Sequence, residues 1–168
     1  MEYTKVRDSI KSGDIIALSH DAWGSWYDVQ IQVVRTVTQS EYCHVGLVLE
    51  WGGRLFVVEA VTPTIRIKPL SQFVDKGFYH IAVNAPVTDE ETEFALKLVS
   101  VGKYSKLEAM EGFFETLEIG EDDLWQCAEF VITCRKLSGV DCGNIATPAD
   151  VVKKLQSQGC PINYIDRI

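Results

Sequence analysis

The run YCHVGLVLE–WGGR–LFVVEAV, residues 42–61, constrains the fold more than any other part of the chain. Two stretches rich in β-branched residues flank Gly52-Gly53, which is a strong hairpin signal. A two-residue turn there sets Trp51 opposite Arg54, Gly46 opposite Glu59 and His44 opposite Val61. Side chains alternate faces along a strand. Val45, Leu47, Leu49, Phe56, Val58 and Ala60 therefore share a wholly apolar face, the expected core. His44, Gly46, Val48, Leu55, Val57, Glu59 and Val61 share the other. On it His44 and Glu59 are diagonal neighbours, within reach of a glutamate side chain. Gly46 is expected to leave room for Glu59. A glutamate among valines and alanine is costly to bury without a partner. A histidine supplies one, and the carboxylate in turn orients the imidazole and stabilises its charged form. The pairing depends on the turn, because a shift of one residue would send the two to opposite faces.

A third group stands far along the chain. In WQCAEFVITCRK (125–136), Cys127 follows the acidic GEDD and heads an apolar-periodic run. A helix N-terminus lowers a thiol pKa through its dipole and free N–H groups, and a nearby imidazolium lowers it further. Cys127, His44 and Glu59 then make a nucleophile, a base and an orienting carboxylate. The Cys127 backbone N–H would face a developing oxyanion. Singly, each has a plain alternative: a packed cysteine, a satisfied histidine, a solvated strand-end carboxylate. The set is more specific, because the hairpin joins two of the three before any fold is assumed. Cys43 is expected to point to the core face, opposite His44. Cys134, two turns beyond Cys127, is expected to be buried. Cys142 and Cys160 fall in loops and receive no role. His20, in a polar loop, and His80, in a strand, are fallback bases.

The 168 residues suit a single domain, 1–168, around one core. A net charge of −8 argues against a nucleic-acid partner and against electrostatic docking on anionic lipid. No apolar stretch reaches the roughly 18 residues of a membrane span, and the start lacks a secretory core. Five cysteines, an odd number, then suggest reduced thiols and a cytoplasmic protein of a phage or bacterium. No C-x-x-C pair marks a zinc site, and no metal or cofactor is expected.

Residues 4–11 suggest a short helix, DIIALS (14–19) a strand, and IRIKPL (65–70) and FYHIAVN (78–84) two more. Thr88 and Glu91 fit a capping box, followed by Phe94, Ala95, Leu98 and Val101 at helical spacing, with Gly102 as the stop. A second helix is expected from about Trp125 to Leu137, with Phe130, Val131, Cys134 and Leu137 on one side. Thr147 and Pro148 open a third. Residues 20–41 match no simple pattern and suggest a substrate-facing insertion. The order of helix, strands and helices gives an α+β class with an antiparallel sheet.

With these pieces in place, the chain resembles the circularly permuted papain-like hydrolases of the NlpC-type superfamily, in particular the YiiX-like group and its poxviral relatives. The matching segments are SGDIIAL (12–18), YCHVGLVLE (42–50), FVVEAV (56–61), VTPTIRIKPL leading into SQF, GKYS (102–105), QCAEFV (126–131) and TPADV (147–151). They span nearly the whole chain in the family's order. His precedes Cys, as in the permuted group and unlike papain. The resemblance implies an antiparallel sheet or small barrel packed against helices, with the nucleophile at a helix N-terminus. It implies Cys127 as nucleophile, His44 as base and Glu59 as the third polar residue. Tyr104, Tyr42 and Gln126 become substrate or oxyanion candidates. QCAEFVITCRK is also similar to the nucleophile helix of lecithin:retinol acyltransferase relatives. Those use a second histidine as third residue, where this chain offers Glu59.

Three functions follow. The first is hydrolysis of a peptide, isopeptide or peptidoglycan stem-peptide amide through a thioester. The second is transfer or release of a lipid acyl group, which exposed Trp23, Trp26 and Tyr27 would favour. The third is a binding module in which the triad is incidental. No other partner is implied than the peptide-like or acyl substrate.

Overall fold

In the computed structural model of the chain, the residues described are 1–19, 41–61, 64–100, 127–144 and 147–166. A short helix α1 (Tyr3–Val6) and a 3-10 turn lead to β1 (Ile15–Ser19). The hairpin follows as β2 (Tyr42–Trp51) and β3 (Arg54–Val61). Then come β4 (Thr64–Pro69), a 3-10 segment (Leu70–Lys76) and β5 (Phe78–Ile81). Helices α2 (Asp89–Ser100), α3 (Cys127–Leu137) and α4 (Pro148–Ser157) precede a last strand, β6 (Ile162–Ile165).

The strands form one antiparallel sheet in the order β4-β3-β2-β1-β5-β6. It is an open sheet and not closed into a barrel, so the barrel alternative falls. The hairpin turns at Gly52 and Gly53, with φ of 58° and 73°, as a primed two-residue turn requires. Trp51 pairs with Arg54 and Leu47 with Val58, which is the expected register.

Both faces of the sheet are covered. On one, Ile15, Ala17, Val45, Leu47, Leu49, Val58 and Ala60 pack against α2, α3 and α4 through residues such as Phe94, Phe130, Val131 and Leu155. On the other, Ile16, Leu18, Val48, Leu55 and Val57 pack under Leu70, Phe73 and Val74 of the 3-10 segment. The face carrying His44 is therefore core as well, because a segment with no strong periodicity in the sequence covers it. Phe56, expected in the first core, is only half-buried.

Several expected elements are shorter. The N-terminal helix gives way to a 3-10 turn at Arg7–Ser9, and β5 ends at Ile81 rather than at residue 84. The reason at β5 is local. Val83 donates its N–H to Asp14 Oδ1 at 2.9 Å instead of to a neighbouring strand. The capping box forms only one arm: Thr88 Oγ1 accepts from the Glu91 N–H at 3.2 Å. The Thr88 N–H donates to Ser138 Oγ at 3.0 Å, which releases Glu91. That carboxylate turns inward and pairs with Arg135 at 2.8 Å, both side chains being fully buried. Arg135 also donates to the Ala85 carbonyl at 3.0 Å. Breaking such a buried pair from one side costs about 3–5 kcal/mol. The pair ties α3 to α2 and so fixes the helix that carries Cys127. Helix α4 starts as expected, with Thr147 Oγ1 accepting from the Asp150 N–H at 3.2 Å and Pro148 in the first turn.

Candidate active site

The site is assembled from β2, β3, β4 and the first residue of α3. The ladder between β1 and β2 slips between Leu18 and Ser19, whose partners are His44 and Tyr42. Cys43 is thus an extra residue on β2, a β-bulge, and bulges redirect the side chains beside them. This corrects the expected place of Cys43. It packs with Ile16 and Leu18, and its thiol donates to the Leu18 carbonyl at 3.3 Å. Tyr42 packs against the helix-side core instead, edge-on to Tyr79 at 5.1 Å.

His44 is buried at 5% exposure and Glu59 at 0%. His44 Nε2 lies 2.6 Å from Glu59 Oε2. Gly46 permits this crowding, but through a different neighbour from the one expected. A Cβ there would sit 2.5 Å from Val57 Cγ1 and at an ordinary 3.5 Å from Glu59 Cβ. The second Glu59 oxygen, Oε1, accepts from Arg66 Nε at 2.7 Å. Sequence reasoning does not single out Arg66, although strand register offers a signal. With Thr64 opposite Val61, Arg66 falls directly opposite Glu59, which is the observed β3–β4 pair.

Cys127 completes the row. Its side chain hydrogen-bonds to His44, and the sulfur also accepts from the backbone N–H groups of Val45 and Ala128. Since Nε2 is held by Glu59, Nδ1 is the ring nitrogen left to face sulfur. Burial pushes the thiol up, but the His44 charge, its hydrogen bond and the two backbone donors outweigh this and lower its pKa. Burial likewise disfavours charged His44, yet Cys127 and Glu59 reverse the balance and raise it to about 9. For Glu59, burial is again opposed, here by His44 and Arg66, and the carboxyl lies below its ordinary value. Each shift along the row favours the charged form of its group: the thiol and the carboxyl are lowered and the imidazole is raised.

The other four thiols behave in the opposite way. Burial, with the Cys127 charge next, pushes Cys43 up to about 12. Burial also raises Cys142 to about 12, Cys134 well above its ordinary value, and Cys160. All five cysteines are free thiols.

Of the remaining candidates, His80 lies in β5, bonded through Nε2 to Asp14 Oδ2 at 2.7 Å. His20, Trp23, Trp26, Tyr27, Tyr104 and Gln126, together with Val101, Gly102 and Trp125, lie outside the described residues. Among the described residues, no three His, Cys, Asp or Glu side chains converge as a metal ligand set. No described helix is long and apolar enough to cross a membrane.

No protein-family model matches the chain, and no curated protein matches it by sequence. Among solved structures it is similar to YiiX of Escherichia coli O157:H7, described as a metalloprotein. The match covers 95% of this chain and 98% of that one, with a TM-score of 0.61 and 17% identity.

Proposed function

We propose that the protein is a cysteine hydrolase that cleaves an amide bond through a thioester. The α+β fold shared with YiiX is consistent with a hydrolase of that kind. The observation that carries the reading is the hydrogen-bonded row Cys127–His44–Glu59, with the only lowered thiol among five at its head.

In this mechanism the Cys127 thiolate attacks the amide carbonyl carbon. An S–C bond forms and the carbonyl electron pair moves onto oxygen. The Cys127 backbone N–H, in the part of α3 where its description starts, is the donor this reading assigns to that oxyanion. As the tetrahedral species collapses, the C–N bond breaks and the His44 imidazolium protonates the departing amine. His44, now neutral, takes a proton from water, whose oxygen attacks the thioester. Release of the carboxylic acid restores the thiolate–imidazolium pair. Glu59 holds the imidazole ring and compensates its charge throughout. Substrates in keeping with the sequence resemblance are peptide, isopeptide and peptidoglycan stem-peptide amides.

Alkylation with iodoacetamide across pH, with adducts mapped by mass spectrometry, tests the centre without a substrate. Cys127 should react first below neutral pH, and His44→Ala should abolish that preference. Reaction of Cys127 no faster than Cys142 or Cys160 would sink the proposal. Peptide conjugates and peptidoglycan fragments then follow, with release of free amine and free acid marking hydrolysis.

A further inference from the structure

We infer that Arg66 is a positioning residue of this centre: it holds Glu59 aimed at His44 and thereby sustains the Cys127–His44 ion pair. The inference rests on the catalytic reading above. Glu59 has two oxygens and two partners, Oε2 facing His44 at 2.6 Å and Oε1 facing Arg66 at 2.7 Å. A carboxylate bonded at one oxygen swings about its terminal torsion, which is broad for glutamate. Bonded at both, it has one orientation. Arg66 comes from β4, directly opposite Glu59 in the ladder, so the strand pairing itself delivers the guanidinium. The Arg66 side chain is 36% exposed while Glu59 is 0% exposed. The cation therefore keeps part of its hydration and still reaches a carboxylate that has lost its own. That arrangement costs less than a fully buried pair.

The charge logic is one of neighbours in a line. His44 from β2 and Arg66 from β4 act on the charge of Glu59, while Cys127 from α3 acts on it through His44. Lys76, at the end of the 3-10 segment, acts on Cys43. Removal of Arg66 leaves two outcomes for Glu59, and both weaken the thiolate. If Glu59 stays ionised, the row has lost a positive charge and the thiol pKa rises. If Glu59 takes a proton, the imidazolium loses its counter-charge in a buried site and gives up its own.

The test uses the full chain and two readouts that a purely structural arginine would not move. In Arg66→Met, iodoacetamide alkylation of Cys127 in mildly acidic buffer should slow about tenfold, the equivalent of one pKa unit. The Glu59 side-chain carboxyl resonance, assigned with Glu59→Gln in ¹³C-glutamate-labelled protein, should titrate at higher pH than in the unaltered chain. Arg66→Lys, which returns the charge, should recover both toward the original values. If Arg66→Met does not fold, Arg66→Gln keeps a donor for Glu59 without the charge and reads the same two quantities. An unchanged alkylation rate together with an unchanged Glu59 titration would overturn the role of Arg66. A lack of Cys127 preference in the unaltered protein would instead overturn the catalytic reading, so the two failures are told apart.

Discussion

Two buried histidine–carboxylate pairs sit in the same sheet, one on each side of β1. Ile16 pairs with Gly46 on one side and with His80 on the other. His44–Glu59 and His80–Asp14 are nearly equal in length, at 2.6 and 2.7 Å, and all four side chains are buried. Their surroundings differ. Asp14 also accepts backbone N–H groups from Lys11 at 2.8 Å and Val83 at 2.9 Å. It clamps the loop before β1 to the end of β5. Glu59 accepts only from side chains among its described bonds, and its histidine passes on to a thiol. Each pair also has a cysteine within its field. Cys127, beside an imidazolium, is lowered. Cys160 is raised, by burial first and by the Asp14 carboxylate second. A histidine–carboxylate pair is thus no catalytic sign by itself. What matters is which of its two ends meets the thiol.

The largest expected effect breaks the symmetry outright. His44→Ala should slow alkylation of Cys127 below neutral pH by roughly two orders of magnitude, while His80→Ala should leave it nearly unchanged. Equal losses in the two variants would refute the contrast. Next, Asp14→Ala strands two backbone donors and His80, and should cost about 2–3 kcal/mol in urea unfolding. Alkylation of Cys127 should stay within about twofold of normal in that variant, since the two sites share no partner.

The pH dependence sharpens the same comparison. The His44 pKa is raised to about 9, so the imidazolium persists up to that pH and is lost above it. Turnover of any amide substrate should fall as pH rises through about 9, because the leaving amine loses its acid. Alkylation should not fall there, since a rise in pH only favours the thiolate. A parallel fall in both would show that His44 is not the acid. The smallest effect concerns Cys160. Asp14→Asn removes the lesser of the two causes that raise its thiol, and should quicken its alkylation by no more than about twofold.

Much of the site was legible before the structure. The Gly52-Gly53 turn and strict alternation set the register, and the register put His44 beside Glu59. Those are consequences of contacts close in sequence, where turn geometry and a period of two leave few choices. The same reasoning reached its limit at the bulge. One extra residue between Tyr42 and His44 misplaced Cys43, since alternation carries no mark of an insertion. Arg66 lies within reach of the same register logic, but only the β3–β4 ladder shows which residue faces Glu59. Glu91 fits its own helix cap by sequence, but its side chain pairs with Arg135 instead.

By itself, then, the sequence determined the hairpin, the helix starts at Thr88 and Thr147, the α+β class, and a histidine–carboxylate pair in need of a nucleophile. Only the tertiary structure decided how Cys127, expected beside that pair, reaches His44 across the fold, and that β1 lies between β2 and β5. It also decided that the two similar pairs have different surroundings. The physical reason is range. Periodicity and turn chemistry act over a few residues, whereas Cys127 and His44 are brought together by core packing and by a buried Glu91–Arg135 tie. Such contacts depend on how whole faces fit, which no local pattern records.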